Sequence, residues 1–185
     1  TYLDAFQVTG EPRFEQVARE VLDYVQREMT APQGGFYSAT DADSMGPSGH
    51  REEGYFFTWT PQELSTLIGA EDLQLLRRVY GVTDRGNFEG RNIFFRVQPT
   101  RSHAQVMGIT TEALKARLDG IEALLYTARS KRPAPLLDDK VLASWNGLMI
   151  AAFARGGRVL GERKYVESAR KSARFVLSQM RHKSG

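Results

Sequence analysis

The sequence predicts a mainly α-helical fold, in which helical hairpins form part of an α/α toroid and a small antiparallel β-hairpin or sheet is added. Three observations predict this fold class. Apolar residues recur every three or four positions through most of the chain, which indicates amphipathic helices. One helix–turn–helix unit is repeated at long range, and two aromatic runs with strand character interrupt the helical pattern.

Composition excludes several classes of protein. The 185 residues are 41% hydrophobic and 25% charged, with a net charge of +3, which is typical of a globular domain rather than a nucleic-acid-binding one. No apolar run is long enough to span a membrane, and no signal-peptide pattern opens the chain. Because cysteine is absent, disulfides and thiolate metal sites are excluded. A cytoplasmic location is expected, and the start without methionine indicates an excised piece.

The first long helix is predicted over residues 11–29, with Pro12 in its first turn. Residues 152–180 align with residues 1–29 so that the Gly161-Glu162 turn matches the Gly10-Glu11 turn. The match predicts an array of helical hairpins separated by long excursions. Chance similarity between two amphipathic helices is the alternative.

Further helices are predicted between the two copies. Thr60 begins one as the first residue of a capping box with Glu63, and a second covers residues 71–80. A third covers residues 112–129. The most apolar helix, over residues 141–160, is expected to be central and buried on much of its circumference, with Asp138 or Asp139 as its N-cap.

The remaining segments are predicted to be extended. Gly35–Ala39 and Tyr55–Trp59 are short aromatic runs that we expect to pair as a hairpin or small sheet, and residues 43–53 between them are rich in turn formers. Residues 87–97 are predicted to supply another extended piece.

This arrangement predicts a shared site. In a toroid, the connections that follow outer helices emerge at one end, and here they are residues 30–60 and 130–140. We call the side chains expected there the acidic-aromatic rim. Its candidate catalytic residues are Asp41, Asp43, Asp138 and Asp139. Its candidate substrate-binding residues are Tyr37, Trp59, Lys140, Trp145 and Asn146.

Sugar chemistry is one interpretation of the rim. Carboxylates about 5–5.5 Å apart retain configuration at a sugar carbon, and those about 6.5–9.5 Å apart invert it. Aromatic rings could stack on sugar faces, while Asn146 and Lys140 could bind hydroxyls. The alternatives are structural: aspartates favour turns, Lys140 could pair with a neighbouring aspartate, and Trp145 could belong to the core. Asn146 must find partners if it is buried.

Metal and cofactor sites have less support. Asp41, Asp43, Gly46 and Glu52 have EF-hand spacing, but Met45 occupies a ligand position and the flanks resemble strands. His50, His103 and His182 show no metal-ligand spacing and lie in polar, loop-like or terminal stretches. No phosphate loop or serine-hydrolase motif occurs, so no metal and no cofactor is predicted.

Four stretches resemble a known family: GGFYSATDADS from Gly34, EGYFFTWTPQEL from Glu53, GNFEGRNI from Gly86 and DDKVLASWNGLMIAA from Asp138. Together they are similar to the thioredoxin-domain-containing family of spermatogenesis-associated protein 20, YyaL-like in bacteria. The resemblance implies a thioredoxin-like domain followed by a six-hairpin (α/α)6 toroid, similar to N-acylglucosamine 2-epimerases and six-hairpin glycosidases. Residues 1–185 would be one domain from the middle of that toroid, without the thioredoxin-like part. Relatives often carry a histidine where this chain has Pro135-Leu136-Leu137, so the resemblance gives less support to a histidine-dependent epimerase mechanism here.

Two functions are therefore expected from the sequence. In the first, the acidic-aromatic rim binds or transforms a carbohydrate-like small molecule. In the second, the chain is a non-catalytic interaction or structural module attached to a thioredoxin-like domain. A partial toroid would expose apolar flanks, so self-association is also expected. No nucleic-acid or membrane partner is predicted.

Overall fold

A computed structural model describes residues 1–181. The described helices are α1 (Tyr2–Thr9), α2 (Pro12–Glu28), α3 (Pro61–Leu67), α4 (Ala70–Tyr80), α5 (Thr100–Met107), α6 (Thr111–Arg129), α7 (Ala143–Leu160) and α8 (Arg163–Gln179). The described strands are β1 (Ala39–Thr40), β2 (Asp43–Met45), β3 (Arg51–Glu53) and β4 (Leu137–Asp138). The predicted fold class, mainly α with a small antiparallel β part, is confirmed. Across residues 1–181, the helices are too short or too polar to span a bilayer.

The chain forms two compact units. Unit 1 comprises Thr1–Thr40 and Leu137–Gly185, and unit 2 comprises Asp41–Leu136. In chain order, unit 2 is therefore inserted into unit 1 directly after β1 and directly before β4. The single domain over residues 1–185 and the toroid stay predictions.

Unit 1 contains the repeated hairpin that the alignment predicts. Helices α1 and α2 are joined at Gly10, and α7 and α8 are joined at Gly161. The two glycines have almost the same left-handed backbone, with φ values of 68° and 69°, which residues with a Cβ rarely adopt. The long-range repeat is thus a structural repeat.

Small residues bring α2 and α8 close to α7. A Cβ atom added to Gly156 would lie 2.5 Å from Cδ1 of Leu22, and one added to Gly157 would lie 2.4 Å from Cγ2 of Val166. Arg19 joins the two hairpins by donating to the Glu162 carboxylate at 2.7 Å. These contacts surround the apolar core of unit 1, formed by Leu22, Val25, Phe36, Phe153, Tyr165 and Ala169.

Helix α7 differs from its prediction in two respects. Its buried residues are Asn146, Phe153, Gly156 and Gly157, whereas Trp145 and Leu148 are exposed. The covered side is the one that meets α1, α2 and α8, so the expectation of broad burial was wrong. The N-cap is Leu142, which makes no side-chain capping bond, so the predicted aspartate cap was also wrong. Residues Lys140 to Leu142 separate the aspartates from the first helical turn.

Unit 2 packs α3, α4, α5 and α6 around an apolar core that includes Leu64, Leu76, Val79, Leu114 and Leu118. The predicted capping box begins α3. The hydroxyl of Thr60 accepts from the Glu63 amide at 3.1 Å, and the Glu63 carboxylate accepts from the Thr60 amide at 2.7 Å. Thr110 caps α6 in the same manner by accepting from the Ala113 amide.

Strand pairing corrects the predicted hairpin. The hairpin is formed by β2 and β3 inside the segment expected to be a turn, with Ser44 opposite Glu52. Strand β1 pairs with β4 instead, with Ala39 opposite Asp138. Residues 55–57 form a turn that follows Gly54, whose φ is 69°. The carbonyls of Tyr55 and Phe56 accept from the side chain of Arg132, so this turn needs no strand partner. Residues 87–97 contribute only isolated bridges to the described structure.

Candidate functional site

An open cleft in unit 1 holds two of the residues predicted to form the site. The unit-1 cleft has a volume of about 1130 Å³ and is lined by Ala31, Gln33 and Tyr37, by Asp139 and Val141, and by side chains of α8. Tyr37 and Asp139 both line it, so the structure brings together an aromatic ring and a carboxylate that lie 102 positions apart in the sequence.

The glycine pair before Tyr37 lets the backbone approach α8. Gly34 has a φ of 117°, and a Cβ atom there would lie 2.7 Å from Cγ of Lys171. A Cβ atom on Gly35 would lie 2.9 Å from the ring of Phe175. Only glycine allows this approach, which places the segment that ends at Tyr37 along one side of the cleft.

Asn146 holds the same segment from the protein interior. Its Oδ1 accepts from the amide of Phe36 at 2.7 Å, and its Nδ2 donates to the carbonyl of Phe36 at 3.0 Å. Nδ2 also donates to the Leu142 carbonyl at 3.1 Å, and Oδ1 accepts from Ser172 at 3.3 Å. The buried amide has thus used both hydrogens and both lone pairs. It positions the cleft wall and keeps no hydrogen bond for a substrate.

Asp139 is an exposed acid of the cleft. Its carboxylate makes no hydrogen bond or ion pair within the part of the chain that the structure describes. The Tyr37 hydroxyl likewise has no hydrogen-bond partner among residues 1–181. Both polar groups are therefore open to a ligand.

The neighbouring Asp138 has a different environment. Its carboxylate accepts from Nζ of Lys140 at 2.6 Å and from the Lys140 amide at 3.3 Å. The hydrogen bond from the Lys140 side chain lowers the pKa of Asp138 below its ordinary value. Asp138 is therefore ionised at neutral pH and is a poor proton donor. Of the two roles predicted for Lys140, the structure shows the ion pair.

Asp41 and Asp43 belong to unit 2, where they begin the β2–β3 hairpin. Asp41 accepts from the amide of Asp43 at 3.2 Å, and its other oxygen lies 3.3 Å from Arg51. These contacts are those of a turn aspartate. Asp43 stands opposite Glu53 in the hairpin. The convergence of the four aspartates on one rim stays a prediction.

The two tryptophans have opposite environments. Trp59 is 5% exposed and belongs to the core of unit 2, where the guanidinium of Arg132 lies 3.9 Å from its ring centroid. Burial leaves the Trp59 ring little surface for a sugar. Trp145 is 54% exposed, so the core interpretation of this residue was wrong. It is not among the residues that line the unit-1 cleft.

No metal centre is evident. Within residues 1–181, no group of three or more His, Cys, Asp or Glu side chains could hold a metal ion. His50 is exposed, His103 is buried in α5, and His182 lies outside the described residues. The EF-hand spacing after Asp41 falls on a β-hairpin, in which Glu52 accepts from Ser48 at 2.7 Å.

Sequence reasoning missed the residues that α8 adds to the cleft. Arg170, Lys171 and Arg174 supply positive charge, and Phe175 supplies a second ring beside Tyr37. Because Phe175 aligns with Tyr24 in the repeat, the pattern indicated only another amphipathic helix. The occurrence of three cations within five positions of one helix was the sequence signal that could have predicted this positive charge.

Comparison with known proteins places the chain in a family. No protein-family model matches it. Human spermatogenesis-associated protein 20 is 36% identical over 199 residues, which cover 97% of this chain and 25% of the human protein. The rat protein of the same name is 37% identical over 200 residues, with the same coverage. An uncharacterised protein of Caenorhabditis elegans is 28% identical over 196 residues, or 95% of this chain and 27% of that protein. The chain thus spans about a quarter of the length of these relatives. This chain belongs to the spermatogenesis-associated protein 20 family.

Proposed function

We propose that the unit-1 cleft binds a carbohydrate-like small molecule. The observation that carries this proposal is the presence of Tyr37 and Asp139 in one cleft. Neither the Tyr37 hydroxyl nor the Asp139 carboxylate has a hydrogen-bond partner among the described residues. Phe175 adds a second aromatic side chain. Small-molecule sites are concave, contain aromatic side chains and place a few polar groups for orientation. A polyhydroxylated ligand would use both the ring faces and the carboxylate.

Binding has more support than catalysis. A glycosidase uses two carboxyl groups, one of which must donate a proton. Besides Asp139, the cleft is lined by Glu167, whose carboxylate lies 3.2 Å from Arg170. Because Arg170 holds this carboxylate, Asp139 is the only carboxyl group of the cleft without an ion pair among residues 1–181, and one such group does not form a catalytic pair. Epimerase-like or glycosidase-like chemistry and a cytoplasmic location stay predictions.

Substitution of Tyr37 or Asp139 tests the proposal. In a calorimetric screen of neutral and acidic mono- and disaccharides, at least one sugar is expected to bind. Tyr37→Leu and Asp139→Asn should each weaken that binding by about tenfold, or about 1.4 kcal/mol, because each removes one ligand contact. Tyr24→Leu removes an exposed ring from α2, outside the cleft, and serves as the matched control. Absence of binding by every sugar in the screen would refute the proposal.

The second candidate function is that of an interaction module, favoured by the exposed apolar side of α7. Trp145 is 54% exposed and Leu148 is 74% exposed, and Leu142 precedes them at the same spacing of three residues. Exposed apolar surface of this kind marks protein interfaces. We propose that a second copy of the chain covers it. Attachment to a thioredoxin-like domain stays a prediction of the family resemblance.

Self-association can be measured directly. The average mass in sedimentation equilibrium is expected to rise with concentration towards that of a dimer. The double substitution Trp145→Gln and Leu148→Gln should return the protein to a monomer, because it removes the apolar contact. Leu177→Gln changes an equally exposed leucine of α8 and should leave the association intact. A parent protein that stays monomeric at every concentration would exclude this candidate.

A further inference from the structure

Two cations in the unit-1 cleft have no partner among the residues that the structure describes. Lys171 and Arg174 lie three positions apart on α8, and both line the cleft. Among residues 1–181, neither side chain has a hydrogen-bonding or ion-pairing partner. Their neighbour Arg170 differs, because its guanidinium lies 3.2 Å from the Glu167 carboxylate. Two charges are therefore left for a ligand.

The position of Lys171 is restricted by packing. A Cβ atom on Gly34 would lie 2.7 Å from Cγ of Lys171 and 3.0 Å from its carbonyl oxygen, so the lysine stem runs against the backbone of Gly34. The segment that contains Gly34 is in turn held by Asn146, through the backbone of Phe36. A side chain restricted in this way loses less conformational entropy when it binds a ligand.

Charge in the cleft is arranged unevenly. Three cations face two carboxylates, and one cation–carboxylate pair is internal to α8. The charged side chains outside this pair are Lys171 and Arg174 on α8 and Asp139 on the segment before α7. An anionic group is attracted to the two cations and repelled by Asp139, whereas hydroxyl groups can donate to Asp139.

We propose that the carbohydrate-like ligand of this cleft carries an anionic group, a carboxylate or a phosphate, which Lys171 and Arg174 bind. This inference rests on the proposed sugar-binding function and names its ligand class. The guanidinium of Arg174 supplies paired donors that match either group, and Lys171 supplies a point charge. Asp139 and Tyr37 bind the hydroxyl-bearing part of the same molecule.

Calorimetry with matched probes tests the inference. Glucose, glucuronate and glucose 6-phosphate share a ring and differ in charge, and inorganic phosphate supplies the anion alone. At least one anionic sugar is expected to bind tenfold more tightly than glucose, and its affinity should fall as salt is added. The two anionic sugars distinguish a carboxylate ligand from a phosphate ligand.

Variants assign the effect to the two cations. Lys171→Met keeps the lysine stem and removes its charge, and Arg174→Gln removes the guanidinium. Each should weaken binding of the anionic sugar by about tenfold and leave glucose binding unchanged, whereas Tyr37→Leu should weaken both. Arg158→Gln, which changes an exposed arginine of α7 outside the cleft, is the matched control. The unfolding midpoint of each variant, followed by circular dichroism, shows whether it is folded.

The outcomes separate the inference from the function on which it rests. If glucose binds as tightly as both anionic sugars, or if neither cation variant changes their affinity, the anionic inference is wrong and sugar binding survives. If inorganic phosphate binds as tightly as glucose 6-phosphate, the sugar body contributes nothing and the inference is also wrong. If no probe binds, both proposals fail.

Discussion

Replacement of Arg132 by methionine is expected to destabilise unit 2 by about 3–5 kcal/mol, the usual result of breaking a buried charged network by removing one partner. The Arg132 side chain is only 9% exposed. Its Nη1 donates to the carbonyls of Tyr55 at 2.8 Å, Thr58 at 2.7 Å and Phe56 at 3.3 Å. Without the guanidinium, the carbonyls of Tyr55 and Phe56 lose their hydrogen-bond donor, and that of Thr58 keeps only its bond from Arg91.

The network extends to α3. Nη2 of Arg132 lies 3.3 Å from the carboxylate of Glu63, which also accepts from Arg91 at 2.7 Å. Arg91 donates to the hydroxyl and the carbonyl of Thr58, both at 2.8 Å. Two arginines and one glutamate therefore hold the aromatic turn against the capping box of α3. Because the contacts share one carboxylate, the effects of single substitutions on the unfolding free energy should not be additive.

Denaturant unfolding monitored by tryptophan fluorescence can measure the effect. A Trp145→Phe background leaves Trp59 as the reporter, and Trp59 lies in the core of unit 2. Arg129→Met is the matched control, because Arg129 lies over the rings of Phe56, Phe57 and Tyr126, two of which are exposed. It should cost less than about 1 kcal/mol. An equally small cost for Arg132→Met would show that the network does not stabilise unit 2.

The same network predicts a pH dependence. Burial opposes ionisation of Glu63, but the Thr60 amide and the charges of Arg91 and Arg132 outweigh it and lower its pKa from the ordinary 4.5. A pKa that is lower in the folded state stabilises the protein above pH 4.5, and that contribution is lost as the pH falls through the folded value. Unfolding free energies at neutral and acidic pH should therefore differ less in Glu63→Gln than in the parent.

Replacement of Asn146 by leucine is expected to have the largest effect in unit 1. The side chain is similar in size, but the buried amide and carbonyl of Phe36 lose their partner. Each unsatisfied buried group costs about 1–3 kcal/mol, so the expected loss in unfolding free energy is about 2–6 kcal/mol. The segment that leads to Tyr37 would also be released, so sugar binding in the cleft should weaken with it.

Hydrogen exchange gives a local measurement of this loss. The Phe36 amide donates to Asn146, and its exchange should become faster in the variant relative to the Leu22 amide inside α2. Ser172→Ala is the matched control, because it removes only the 3.3 Å hydrogen bond to Asn146. It should cost no more than about 1 kcal/mol. If Phe36 exchange is unchanged in Asn146→Leu, the positioning role is wrong.

Local signals account for the elements that were predicted correctly. The periodicity of α2 and α6 and the capping box of α3 involve residues within a few positions of each other, so they can be recognised in the chain itself. The glycine turns at Gly10 and Gly161 depend on the backbone of one residue each. The family was recognisable from four short motifs for the same reason.

Long-range contacts account for what was missed. Asn146 and Phe36 lie 110 positions apart, and Arg132 and Tyr55 lie 77 positions apart, so no spacing rule connects them. The exposure of Trp145 depends on which side of α7 meets α2 and α8, and a broad apolar arc does not reveal that side. The aromatic run at Tyr55 has the composition of a strand, but the donors that satisfy its carbonyls belong to Arg132.

By itself, the sequence determined most of the helices, the capping box of α3, the repeated hairpin and the family, because each is encoded within one segment or in segments that can be aligned. Only the tertiary structure decided which polar groups are used inside the protein and which are left for a ligand. Asn146, Asp138 and Asp41 are engaged by neighbours, while Asp139, Lys171 and Arg174 have no hydrogen-bonding or ion-pairing partner in the described part of the chain. The physical reason is that a side chain's hydrogen-bonding capacity is finite, and its use depends on groups that folding brings from distant parts of the chain.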